Sequence, residues 1–190
     1  MGKLKRNQNI AEKFAEYEEF MSSLKCVPDI VKVCNAKPNH PSSTYANEKI
    51  SGGEAFSSSS LEVEVKNDDM CNFSIQILGE NIPGKVLFRF DATTTGAMHR
   101  NNVNFIPLSL QQVGHPHYHR YEKNGYLLAY QPEQLKNDAS LGEISGGYDY
   151  FCRAANIRGI SKGSLPSIDV ARRTLDLDLP TDPNEGVTFP

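Results

Sequence analysis

Three of the chain's five histidines stand in the run His115-Pro116-His117-Tyr118-His119-Arg120-Tyr121, spaced two residues apart. On an extended strand successive side chains alternate faces, so His115, His117, His119 and Tyr121 line one side and Pro116, Tyr118 and Arg120 the other. Same-face neighbours on a strand are about 6.5 Å apart, so His117 and His119 can converge on one divalent transition metal, whereas His115 and His119 are about twice as far apart. A third ligand then has to come from elsewhere in the chain, and His99 and Asp91 are the candidates. Spacing alone leaves a metal-bound and a metal-free site both open.

Without a metal, two imidazoles on opposite sides of a phosphodiester can act as base toward a ribose hydroxyl and as acid toward the leaving oxygen, because histidine titrates near neutrality. On this reading His99, His117, His119 and Tyr121 are the catalytic candidates, with Tyr121 orienting the substrate or stacking on a base. Arg89, Arg100 and Arg120 are the candidates for holding the phosphate, although Arg120 has the opposite parity to the histidines. A third reading is a polar or partner-facing sheet surface, in which Tyr118, Tyr121, Tyr126 and Tyr130 belong to a protein-binding patch. The glycine pairs Gly52-Gly53 and Gly146-Gly147 lack Walker or Rossmann spacing, which disfavours nucleotide hydrolysis of those kinds.

The chain of 190 residues is long enough for one domain with its own core, and its hydrophobic fraction of 38% points to a central core flanked by polar tails. A net charge of -3 argues against a dedicated nucleic-acid wrapper while leaving room for a local basic patch. Lys3, Lys5 and Arg6 are followed by Glu12, Glu16, Glu18 and Glu19 instead of an apolar signal core, and no run approaches the roughly 18 apolar residues of a membrane span. A cytoplasmic protein with no membrane partner is expected. Cys26, Cys34, Cys71 and Cys152 form no CxxC pair, which fits reduced thiols.

The elements that must position the histidines follow from periodicity. Ile10, Phe14, Tyr17, Met21 and Leu24 recur at helical steps, predicting an amphipathic helix over residues 9–24. Residues 26–60, broken by prolines, glycines and four consecutive serines, read as a linker with one short strand at 30–33. Alternating apolar residues predict strands at 61–65, 71–78 and 86–91, with turns at 67–69 and 81–84. Asn124-Gly125 is a strong hairpin signal that returns 126–130 beside the histidine strand. A helix is expected at 148–157, a shorter one at 168–175, and an extended acidic tail from 176. The expected architecture is α+β, a central mostly antiparallel sheet of about five strands with N-terminal and C-terminal helices. Residues 1–60 form the N-terminal helix and linker, 61–160 the core domain, and 161–190 the short helix and tail.

Arg89, Asp91, His99, Asn101, Pro116, His117, His119, Tyr121 and Gly125 together resemble the motif of an uncharacterised bacterial and phage family. Its members run from an Arg-x-Asp strand through His-x-Asn to Pro-His-x-His-x-Tyr and a glycine turn. The stretch Phe151-Cys152-Arg153-Ala154-Ala155-Asn156-Ile157 looks like the family's closing helix. The apolar 103–113 segment and His115 are departures from that pattern. The resemblance implies that these residues form one unit. Histidine-rich sheets are also similar to those of small toxin ribonucleases. The functional expectation is a histidine-centred site acting on a phosphodiester, RNA being the substrate, as in toxin-type ribonucleases of bacterial or phage conflict systems. The alternative is a non-enzymatic inhibitor or adaptor that uses the same face to bind a protein, whether an antitoxin or a host or phage protein.

Overall fold

The computed structural model describes residues 6–37, 39–67 and 69–171. Two short helices, α1 (Gln8–Glu12) and α2 (Phe14–Ser22), open the described chain. Strands β1 (Lys25–Val27), β2 (Ile30–Val33), β3 (Asn35–Lys37), β4 (His40–Lys49), β5 (Ser51–Gly52), β6 (Ser59–Lys66), β7 (Asp69–Gly79) and β8 (Val86–Ala92) follow. After them come β9 (His99–Arg100), α3 (Leu108–Gln111), β10 (Gln112–Val113), β11 (His117–Tyr121) and β12 (Leu127–Tyr130). Helices α4 (Glu133–Asn137) and α5 (Ile144–Ala154) precede β13 (Ile157–Gly159) and β14 (Ser167–Val170). The architecture is α+β. Its centre is a seven-stranded antiparallel sheet in the order β12-β11-β8-β7-β6-β4-β3.

Alternation in the sequence divides that sheet into two unlike faces. Leu61, Val63 and Val65 on β6, Phe73, Ile75 and Ile77 on β7, and Phe88 and Phe90 on β8 are buried together. Helix α5 covers this apolar face: its Phe151 ring lies 5.0 Å from Phe88, and its neighbour Tyr150 lies 5.8 Å from Phe90. Close approach is possible because Gly147 has no side chain; a Cβ there would stand 2.6 Å from the Phe73 ring. The other face carries the intervening polar residues.

Four expectations are corrected. The single helix over 9–24 is two helices meeting at Lys13, whose backbone leaves the helical region. Residues 26–60 are not an irregular linker, because β4 pairs in register with β6 from Ser43 to Lys49 and β3 pairs with β4. The polar sequence of β4 hid this: only one side of the strand meets the core, and main-chain bonding to β6 outweighs its weak strand propensity. The central sheet consequently has seven strands instead of about five. Finally, Ile168 to Val170 belong to β14, a strand parallel to β2, and not to a helix. The remainder of the expected 168–175 helix beyond Ala171, the acidic tail, Lys3, Lys5 and Asp68 of the 67–69 turn lie outside the described residues. Among the described residues no helix is long and apolar enough to cross a membrane.

Helix α2 sets one end of the histidine strand. The buried Tyr17 hydroxyl donates to the Leu87 carbonyl at 3.1 Å and accepts from the Tyr121 amide at 3.2 Å. It thus stands between β8 and β11 just where their direct pairing, which runs from His117 to His119, has ended. Lys25, itself fully buried, donates to the carbonyls of Phe20, Met21 and Ser23 and so satisfies the C-terminal end of the same helix. Replacing Tyr17 by Phe keeps the ring but leaves a buried amide and a buried carbonyl unpaired. The expected loss is about 1–3 kcal/mol of unfolding free energy in urea titrations, with the β8–β11 amides showing the largest gain in hydrogen exchange.

Candidate functional site

Pairing in the sheet lines up two rows across its polar face. One runs Glu62, Gln76, Arg89, His119; the other runs Glu64, Ser74, Asp91, His117. Because directly opposed residues in an antiparallel pair share a face, the register of β8 against β11 sets Asp91 beside His117 and Arg89 beside His119. His117 Nε2 lies 3.0 Å from His119 Nε2, and Asp91 Oδ2 lies 3.1 Å from His119 Nε2 and 3.8 Å from His117 Nε2. Arg89 Nε donates to the other Asp91 oxygen at 2.8 Å, which fixes the carboxylate.

His99 arrives from β9, which pairs with β10 as a small separate ribbon. Its ring lies 4.7 Å from that of His119 and 5.1 Å from that of His117. One nitrogen from each of His99, His117 and His119 falls within 4.8 Å of the other two, so the three side chains can share a single cation or a single substrate group. The buried Asn101 anchors this ribbon. Its side-chain amide donates to the Ala129 carbonyl and its oxygen accepts from the Ala129 amide, both at 2.8 Å, while a further bond reaches the Leu110 carbonyl. Ala129 is the partner of His119 on edge strand β12, so Asn101 occupies the free edge and holds the ribbon beside the pair of histidines.

The local chain also orients the rings. His117 Nδ1 faces the Gly114 carbonyl at 2.9 Å; a carbonyl only accepts, so Nδ1 carries the proton and the Nε2 lone pair points into the cluster. His115 precedes the strand, lies with its ring tilted against that of His117 at 4.4 Å, and hydrogen-bonds to the Asp91 main chain. Among the described residues, His99 Nε2 and His115 Nδ1 are buried without a hydrogen-bond partner. The cluster opens into a cleft of about 360 Å³ that crosses the sheet from His99, His115 and His117, past Arg89 and Thr93, to Glu64, Lys66 and His40.

Burial dominates the electrostatics. Desolvation, followed by the neighbouring charge of His119, pulls His99 down to about 4 and His117 down to about 3, and burial lowers His115 as well. Burial pushes the Asp91 carboxyl up, but the His119 hydrogen bond and the Arg89 guanidinium outweigh it and hold the group well below the usual carboxylate range. At neutral pH His99 and His117 are therefore neutral acceptors beside an ionised Asp91.

Not every candidate from the sequence reaches this place. Tyr121 shares the parity of the histidines but is covered by α2: its ring packs edge-on against Tyr17 at 5.6 Å and its hydroxyl accepts from Asn7. Arg120 lies on the opposite face and pairs with Glu18 at 2.7 Å. Arg100 follows His99 on β9 and is exposed. Tyr118 and Tyr130 stack on each other at 5.6 Å, with Tyr118 packed on Phe88 on the helix-covered side, so no single His/Tyr face exists. Lys66, Ser74 and Thr93, which no spacing in the sequence marks, also border the cleft together with His40. Lys66 and Ser74 share the outward parity of their strands, a signal that becomes usable only once the strands are paired. No protein-family model matches the chain, and neither does any curated protein or solved structure.

The depressed histidines make stability depend on pH in a definite sense. In the unfolded chain each imidazole takes a proton near pH 6.5, whereas the folded chain refuses it until pH 4 for His99 and pH 3 for His117. Unfolding therefore takes up protons in this window, and stability falls as pH drops from 6.5 toward 4. Urea titrations at half-unit intervals should give an uptake approaching about two protons near pH 5, and the double variant His99→Gln, His117→Gln should flatten that slope.

Proposed function

We propose that the His99, His117, His119 and Asp91 cluster, with the cleft that leads to it, cleaves a phosphodiester, and that RNA is the substrate class. The observation that carries this reading is the convergence of two buried imidazoles, His117 and His119, with the half-buried His99 and Asp91 at one end of an open polar cleft bordered by Arg89 and Lys66. Arg89 uses Nε on Asp91 and keeps its two terminal nitrogens for a phosphate oxygen, a task that suits a guanidinium fork. Neutral imidazole nitrogens next to it are suited to activating a nucleophile, whether a ribose hydroxyl or water. The cleft volume falls in the range of small-ligand sites, which fits one nucleotide unit of a longer strand that leaves the cleft at its open side. A cytoplasmic toxin-type ribonuclease of bacterial or phage conflict belongs to this proposal as its biological setting.

One observation favours a second reading, that of a protein-binding adaptor. Met98, Phe105 and Leu108, on and around the ribbon that carries His99, are each more than half exposed. Such side chains beside a cleft suit a protein partner.

A cleavage assay on single-stranded RNA across pH 5 to 8, with and without divalent metals, separates the two. His117→Ala or His119→Ala should lower kcat by about a hundred- to ten-thousand-fold, Arg89→Ala should raise KM and lower kcat, and Arg120→Ala should stay within about twofold of wild type. Wild-type protein that leaves RNA intact under all these conditions, yet captures one protein in a manner abolished by Phe105→Ser with Leu108→Ser, would give the function to the second reading.

A further inference from the structure

We propose that His99, His117, His119 and Asp91 bind one divalent transition ion of the zinc class. The inference deepens the hydrolytic reading above by naming the cation of that same site. His117 Nε2, His119 Nε2 and Asp91 Oδ2 form a triangle with edges of 3.0, 3.1 and 3.8 Å. The circle through those atoms has a radius of about 1.9 Å, so an ion with bonds of about 2.0–2.2 Å to nitrogen and oxygen touches all three from a position just off their plane. A nitrogen of His99, within 4.8 Å of those of His117 and His119, supplies a fourth donor from the β9–β10 ribbon.

The same atoms are poorly served without an ion. Two ring nitrogens and a carboxylate oxygen converge, and the His119 proton is the single proton available to be shared among them, because the His117 proton is committed to Gly114. Lone pairs then face one another in a buried place, and His99 Nε2 finds no hydrogen-bond partner among the described residues. Buried polar atoms of this kind are normally satisfied, and one cation satisfies all of them together.

The surroundings fit that role. His117 donates its other ring nitrogen to a main-chain carbonyl, and Asp91 receives Arg89 on the oxygen that points away from the histidines. These are the outer contacts that hold metal ligands in their tautomer and rotamer. Three imidazoles and one carboxylate select a borderline ion such as zinc, cobalt or nickel over magnesium or calcium, which prefer oxygen alone. The cleft meets the cluster at His99, His117 and Asp91, where water or a phosphate oxygen can reach the ion.

The test is made on full-length protein stripped with a chelator and titrated with zinc or cobalt in the absence of RNA. One equivalent should bind, cobalt should give the intense visible bands of a nitrogen-rich low-coordinate site, and the melting temperature should rise. His117→Ala and Asp91→Asn should weaken binding by at least about tenfold to a hundredfold, and His99→Ala should do so while leaving β8 and β11 intact by amide exchange. Absence of binding at micromolar zinc or cobalt, or binding that survives in folded His99→Ala and His117→Ala alike, overturns the proposal. The two readings fail separately. Protein that cleaves RNA without binding metal loses this inference and keeps the hydrolytic one; protein that binds one metal at these residues but cleaves nothing keeps this inference and loses the other.

Discussion

The register in which β8 pairs with β11 is the constraint on which the site depends. With Asp91 opposite His117 and Arg89 opposite His119, four polar groups meet on one face while Phe90 meets Tyr118 on the other. A slip of one residue would reverse every side chain on one strand, set phenylalanines against histidines, and bury Arg89 and Asp91 under α5. Two side chains from outside the pair keep the register from slipping. Tyr17 closes the ladder at the Leu87 and Tyr121 end, and Asn101 grips Ala129, the neighbour of His119 on the far strand. Both hold main-chain groups, which makes them sensitive to position along the strand and indifferent to side-chain identity.

A buried polar cluster of this kind has to be carried by apolar packing elsewhere, since taking imidazoles and a carboxylate out of water is unfavourable unless each finds a partner. The sheet solves this by separating its faces. The Phe73 and Phe90 rings, stacked on each other, and Phe88, tilted against Phe151, supply the burial on the α5 side, leaving the other side free to be polar along its full width. That width matters electrostatically. Glu62 and Glu64 are both tied to Lys37, which offsets one of their two negative charges and so weakens their repulsion of an anionic substrate approaching Arg89.

Much of this was legible in the sequence where the physics is local. Alternation identified β6, β7 and β8 and the sides they bury, and a spacing of two placed His117 and His119 together, because side-chain direction on a strand depends on parity alone. The two partners that complete the cluster were legible only as candidates: nothing local says that His99 folds back through a two-residue strand, or that Asp91 lands opposite His117. What could not be read was set by pairing instead of pattern. β4 has too few apolar residues to announce itself, and Tyr121, correct in parity, is removed from the site by a helix about a hundred residues earlier in the chain. Parity separated Arg89 from Arg120 in principle; the pairing of Arg120 with Glu18 on α2 shows the difference in fact.

The direction of the pKa shifts bears on which chemistry the cluster can perform. A metal-free acid-base cleavage needs one imidazole neutral and another protonated near the working pH, so the two environments have to push in opposite directions. His99 and His117 are pushed the same way, by the same cause, to about 4 and about 3. At neutral pH His117 is then held in its unprotonated form and does not serve as the acid. A proton for the leaving oxygen has to come from a group outside this pair or from solvent through the open cleft. What the buried residues offer in common is lone pairs and one negative charge, held in place by a carbonyl, a guanidinium and an asparagine amide. The chemistry open to them is that of accepting, whether the thing accepted is the proton of a nucleophile or an electron-poor centre that activates one.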